Sequence, residues 1–156
     1  MKQILMAAFL LIGSGLGALS SPFTLSLSSQ TTGALTEFAL GDLDALPQSV
    51  ITTSTPWTAE PYAFSGPRLS AVIAQAGIGS FSSITLRALN DYSVTLTAQY
   101  VAEFEPIVST RMNGAPMAVE DKGPYWLIFD LDNTPLSQKL QTTSWMIWQL
   151  TEVRIR

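Results

Sequence analysis

The chain has no cysteine and no histidine. That removes the disulfide, the thiolate nucleophile, the serine–histidine–aspartate triad and the common zinc site, each of which needs a sulfur or an imidazole lone pair. Charge is scarce as well. Only 13% of the residues are charged, and 8 basic against 12 acidic groups leave a net −4 at pH 7. Nucleic-acid binding draws its affinity from Lys and Arg neutralising phosphates, so no nucleic-acid partner is expected. What is present is apolar: 47% of 156 residues are hydrophobic, which suits one folded domain with a single core and lies far from the disordered regime. Any catalysis would have to rest on carboxylates, hydroxyls or a cofactor.

Met1 and Lys2 precede an apolar run from Ile4 to Leu19 that closes on Ala18-Leu19-Ser20. A short charged start, an apolar stretch and a small-residue exit describe a secretory signal peptide, with cleavage after Ser20. Residues 1–20 are thus expected to be removed. Residues 21–156 are expected to form one exported, periplasmic domain without a membrane span. The rival is an uncleaved anchor, since a spanning helix needs ~20 apolar residues. Gly13, Gly15 and Gly17 within the run do not make a phosphate loop, because Ser20-Ser21-Pro22 comes after them where a helix would be needed.

Further along, Phe23 to Leu27 and Leu35 to Leu40 alternate apolar and polar residues and predict two short strands around a turn at Ser28 to Gly33. Asp42 can cap a single helical turn ending before Pro47, and the β-branched stretch Ser49 to Thr55 predicts a strand. Pro56, Pro61 and Pro67 predict an irregular loop from Trp57 to Pro67. Leu69, Val72, Ile73 and Ala76 fall on one face of a helix that Gly77 stops. Ile84 to Ala88 and Val94 to Thr97 predict one hairpin. Ile107 to Met112 and Ala115 to Val119, joined by Asn113-Gly114, predict another. Tyr125 to Leu131 is apolar on both faces and predicts a central buried strand. Leu150 to Ile155 predicts the last one. The expected class is α+β, with a mixed or mostly antiparallel sheet, hairpins and one or two packed helices.

Four pieces occur in a telling order: Phe64-Ser65-Gly66-Pro67-Arg68-Leu69, Ala88-Leu89-Asn90-Asp91-Tyr92, Asn113-Gly114-Ala115-Pro116-Met117 and Gly123-Pro124-Tyr125-Trp126-Leu127-Ile128. Together they resemble the molybdopterin-binding domain of the sulfite-oxidase-like oxidoreductases, over roughly Ser49 to Arg156. The resemblance implies that fold. It also implies a molybdenum-binding cysteine in the first half of the domain, where this chain has only Thr and Ser between Val50 and Thr55. Trp126 replaces the arginine of the family's G-x-P-L-R run, and Ser144 stands where a lysine precedes the late tryptophan. Metal ligation and anion capture are weakened together. The expected function is therefore that of a non-catalytic molybdopterin-oxidoreductase-like domain that binds a small ligand, or a partner such as an exported or membrane sensor or oxidoreductase. No cofactor is expected. A molybdopterin-dependent oxidoreductase with a non-cysteine metal site is the alternative.

Within that reading, no catalytic or metal residue is assigned. Trp57 and Tyr62, in the proline-rich loop, are candidates to face a ligand, against the plainer role of a packed lid. Arg68, at a helix start, and Arg111, beside a tight turn, are candidate anion contacts, against the plainer role of surface cations. Asp130-Leu131-Asp132-Asn133 and Asp42-Leu43-Asp44 have too few oxygens for a calcium loop. Glu103, Glu105, Glu120 and Asp121 could supply a carboxylate pair only if the fold brought them into one cleft.

Overall fold

Alternation of buried and half-exposed residues from Leu25 to Ser29 makes the first strand, and the same two-residue period recurs along most of the longer strands. The computed structural model describes residues 23–156. In chain order come β1 (Leu25–Ser29), β2 (Leu35–Phe38), helix α1 (Leu40–Ala45), β3 (Gln48–Thr53), β4 (Tyr62–Pro67), α2 (Leu69–Gln75), β5 (Ser83–Ala88), β6 (Ser93–Thr97) and α3 (Ala98–Phe104). After these come β7 (Ile107–Ser109), β8 (Arg111–Met112), β9 (Ala115–Pro116), a single 3-10 turn (Val119–Asp121), β10 (Trp126–Ile128), α4 (Leu136–Ser144) and β11 (Leu150–Ile155).

A five-stranded sheet runs β2-β1-β11-β5-β6. Its pairs are antiparallel except β1 with β11, which lie parallel with Leu27 opposite Val153. Leu25, Leu27, Ile84, Leu86, Leu96 and Val153 are all buried. The class is α+β with a mixed sheet, as expected.

The second region is built from β3-β4-β8-β9 and from the pair β10-β7. Thr110 alone separates β7 from β8, so one bent stretch serves both. Where it bends it crosses β4: the Thr110 N–H and the Ser109 hydroxyl both donate to the Ser65 carbonyl, at 2.9 and 3.2 Å. A Cβ on Gly66 would lie 2.0 Å from the Val108 carbonyl oxygen. Only glycine lets the two backbones approach so closely.

Several expectations change here. The loop expected from Trp57 to Pro67 is irregular only over 54–61. From Tyr62 the chain pairs with β3, from Thr53 opposite Tyr62 to Gln48 opposite Pro67. Pro61 and Pro67 stand at the ends of that strand, where a missing N–H breaks no ladder. The hairpin at Asn113-Gly114 forms, with φ of 50° and 80° at the two turn residues, but it is short. Ile107 to Ser109 pairs with β10 instead. Four helices are present among the described residues where one or two were expected. In α3, the Thr97 hydroxyl caps the start by accepting from the Tyr100 N–H. In α4, Leu136 and Leu140 face outward, 86% and 88% exposed, so the helix carries no inward apolar stripe for a sequence pattern to reveal. Asp42 does cap α1, though from inside it, its carboxylate accepting the Ala39 N–H at 2.8 Å.

The run from Tyr125 to Phe129 is fully buried, as its two-faced apolar pattern requires. Trp126 to Ile128 pairs with β7 on one side. On the other it meets the segment entering β11, with the Leu127 N–H donating to the Ile147 carbonyl at 2.9 Å and the Trp126 indole N–H to the Met146 carbonyl at 3.2 Å. No helix of the described residues is long and apolar enough to cross a membrane. The expected signal peptide lies outside the described residues.

Candidate functional site

Three tryptophans far apart in sequence converge between β10, the entry to β11 and the loop before β4. The Trp57 ring sits edge-on to Trp126 and Trp148, with centroids 5.9 and 5.0 Å away, and Trp126 meets Trp148 at 6.3 Å. Edge-to-face contact suits rings with negative faces and positive edges. Trp126 is buried because β10 is buried; Trp57 remains 37% exposed. Its loop is folded on itself. The Thr55 hydroxyl accepts the Trp57 N–H at 3.2 Å and meets the Thr58 hydroxyl at 3.0 Å.

Two clefts open beside Trp57. One, of about 220 Å³, is mostly apolar and bounded by Tyr92, Met146, Ile147 and Trp148. The other, also about 220 Å³, lies between Trp57, Tyr62 and Trp126 on one hand and Glu120, Asp121 and Lys122 on the other. The Lys122 ammonium rests over the rings of Trp126 and Trp148, 5.8 and 5.5 Å from their centroids. Such a cation is held by the negative ring faces.

The residues singled out from sequence divide accordingly. Trp57 and Tyr62 share the second cleft. Arg68 donates to the Glu105 backbone carbonyl, and Arg111 makes a two-pronged pair with Asp44. That pair moves both groups: the guanidinium beside it holds the Asp44 carboxyl below its ordinary value, and the carboxylate raises Arg111. Nearby, burial first and the Asp44 and Asp42 charges second push the Tyr125 phenol up to about 12. The four acidic residues singled out do not meet in one cleft, but Glu120 and Asp121 do share one. Glu103 lines a cleft with Asp130, while Glu120 and Asp121 line the one at Trp57. Asp130 is occupied in its own turn, accepting both from the Asn133 backbone N–H and from its side-chain amide.

Lys122 and Trp148 belong to this region and were not singled out from sequence. Lys122 could have been suspected as the cation directly before Gly123-Pro124, but nothing local says that its side chain lies across two indoles. Trp148 directly follows the buried run Trp145 to Ile147, and that position by itself suggests core.

The stretch between Val50 and Thr55, where the resemblance would put a metal-binding cysteine, does not fit a thiolate-bound molybdenum centre. The Thr53 hydroxyl donates to the Ser54 carbonyl and accepts the Asp132 N–H, and the Ser54 N–H is bound by the Asp132 carboxylate at 2.8 Å. The Thr53 and Thr55 hydroxyls are engaged with backbone, and the charge that touches the stretch is negative. A hydroxyl oxygen becomes a strong metal ligand only when deprotonated, which a neighbouring carboxylate opposes.

No protein-family model matches the sequence, and no curated protein does. Among solved structures the chain is similar to the sulfane dehydrogenase SoxCD from Paracoccus pantotrophus, with a TM-score of 0.64 and 12% sequence identity. At that identity the likeness is one of fold. It covers 85% of this chain and 38% of the other, so the chain spans well under half the length of that protein. It agrees, at the level of fold, with the sulfite-oxidase-like arrangement expected from the ordered turn motifs. Those motifs now have structural causes. Gly66 permits the crossing of β4 and β7, Asn113-Gly114 turns β8 into β9, and a Cβ on Gly123 would lie 2.0 Å from the Met117 carbonyl oxygen.

Proposed function

We propose that residues 21–156 form an exported, periplasmic domain that uses an oxidoreductase-like fold for binding, and that its ligand is a small molecule held in the cleft between Trp57 and Tyr62. The observation that carries this reading is Trp57 itself: a large ring, more than a third exposed, braced by two other indoles at the mouth of two clefts. Large aromatic surface is costly to leave in water, and rigid rings bind at little entropic cost. The domain is non-catalytic in this reading. It has no thiolate to hold molybdenum, and Arg111, a candidate anion contact, is taken by Asp44.

Tryptophan fluorescence and thermal melting of the purified domain with small amphiphilic probes test the proposal. A saturable change in the wild type, lost in a folded Trp57→Ala variant, is the expected result. Saturable binding that survives the substitution would place the ligand elsewhere. Stoichiometric molybdenum in protein from a molybdopterin-competent host would overturn the non-catalytic part and favour the oxidoreductase alternative.

A further inference from the structure

The cleft at Trp57 presents both signs of charge against aromatic walls, and the two signs do not cancel each other. Arg87, Arg111 and Arg154 each lie within 4.0 Å of a carboxylate. The Lys122 ammonium instead rests on the faces of Trp126 and Trp148, and no ion pair joins it to a described carboxylate, although Glu120 and Asp121 immediately precede it and line the same cleft. Val119 to Asp121 forms the 3-10 turn and Lys122 takes a left-handed φ of 71°. This reversal leaves the two carboxylates exposed at the cleft and the ammonium half-buried against the rings.

Each simple ligand class meets an obstacle here. A lone anion drawn to Lys122 is opposed by two carboxylates. A lone cation drawn to the carboxylates and ring faces is opposed by Lys122. A neutral apolar molecule gains contact with the rings but leaves every charge uncompensated. Resting on the ligand site of the proposed function, we propose that the cleft takes a small zwitterion, an alkylated ammonium carboxylate. Its carboxylate would pair with Lys122, and its ammonium would lie on the Trp57 and Tyr62 rings toward Glu120 and Asp121. Methylated ammonium groups suit ring faces because they are cationic yet weakly hydrated. A cleft of about 220 Å³ lies below the usual range for drug-sized ligands and suits a molecule of about the size of glycine betaine.

Calorimetry and tryptophan fluorescence with four probes of similar shape test this: glycine betaine, choline, the tert-butylacetate anion and the corresponding neutral alcohol. Glycine betaine is expected to bind at least about tenfold more tightly than each of the others. Lys122→Met is expected to weaken glycine betaine about tenfold while leaving choline unchanged or tighter. Choline or tert-butylacetate binding as well as glycine betaine would overturn the zwitterion, as would a Lys122→Met variant with unchanged betaine affinity. Trp57-dependent binding of the alcohol or of choline without betaine would retain the ligand site and reject the zwitterion. Failure of all four probes to bind would reject both.

Discussion

The Asp44 carboxylate and the Arg111 guanidinium meet as a matched pair of forks, Nη1 to Oδ1 at 2.5 Å and Nη2 to Oδ2 at 2.8 Å, across 67 residues of chain. The Thr110 hydroxyl adds a third contact, donating to Oδ1 at 3.1 Å. The pair fastens α1 to β8. Planar two-point geometry is what arginine offers and lysine does not.

Asp44→Asn is therefore expected to cost about 1 kcal/mol at neutral pH. The Asp44 carboxyl has a lower value in the folded chain than its ordinary 3.8. Its contribution is thus present above about 3.8 and is lost as pH falls through the lowered value. Urea midpoints measured down that range should fall more steeply for the wild type than for the variant. Parallel curves would show that the pair carries no net stability.

Tyr125 predicts the opposite dependence. Burial pushes its phenol from the ordinary 10.0 up to about 12 in the folded chain, so stability is full below 10.0 and declines as pH rises toward about 12, by about 3 kcal/mol in all. Tyr125→Phe removes the hydrogen bond to the Phe23 carbonyl and should flatten that alkaline decline. An equally steep decline in the variant would assign it to other groups.

Gly66→Ala is expected to be among the most damaging single-methyl additions, more than about 3 kcal/mol, because the obstacle is backbone at Val108 and cannot rotate away. Gly41→Ala is the control. Its Cβ would meet nothing within 4 Å, in a helix, and should stabilise by about 0.5 to 1 kcal/mol. Similar midpoints for the two variants would contradict the close crossing of β4 and β7.

Trp57→Ala and Val72→Ala should separate binding from folding. Val72 is buried on the inner face of α2, and its truncation is expected to cost about 2 kcal/mol without altering the Trp57 cleft. Trp57→Ala should cost about 1 to 2 kcal/mol from its edge contacts and abolish ligand binding. If truncating Trp57 unfolds the domain, it is core and the site loses its principal residue.

Local pattern alone determined much of this molecule. The stripe of Leu69, Val72 and Ile73 marks α2. The period of two marks β5, β6 and β1, and Asn113-Gly114 marks a turn whose positive φ angles those residues tolerate. In each case a few neighbouring residues carry the signal, because a helix or strand presents its faces at a fixed spacing. Tertiary structure decided the rest. No local rule pairs β1 in parallel with β11, the last strand of the chain, and nothing in a polar segment with outward leucines announces α4. The functional reading turns on the same kind of fact. Trp57, Lys122, Trp126 and Trp148 come together only because burying β10 fixes one indole and leaves the others to close around it. Which charge remains unpaired at a surface depends on distances that the order of residues does not contain.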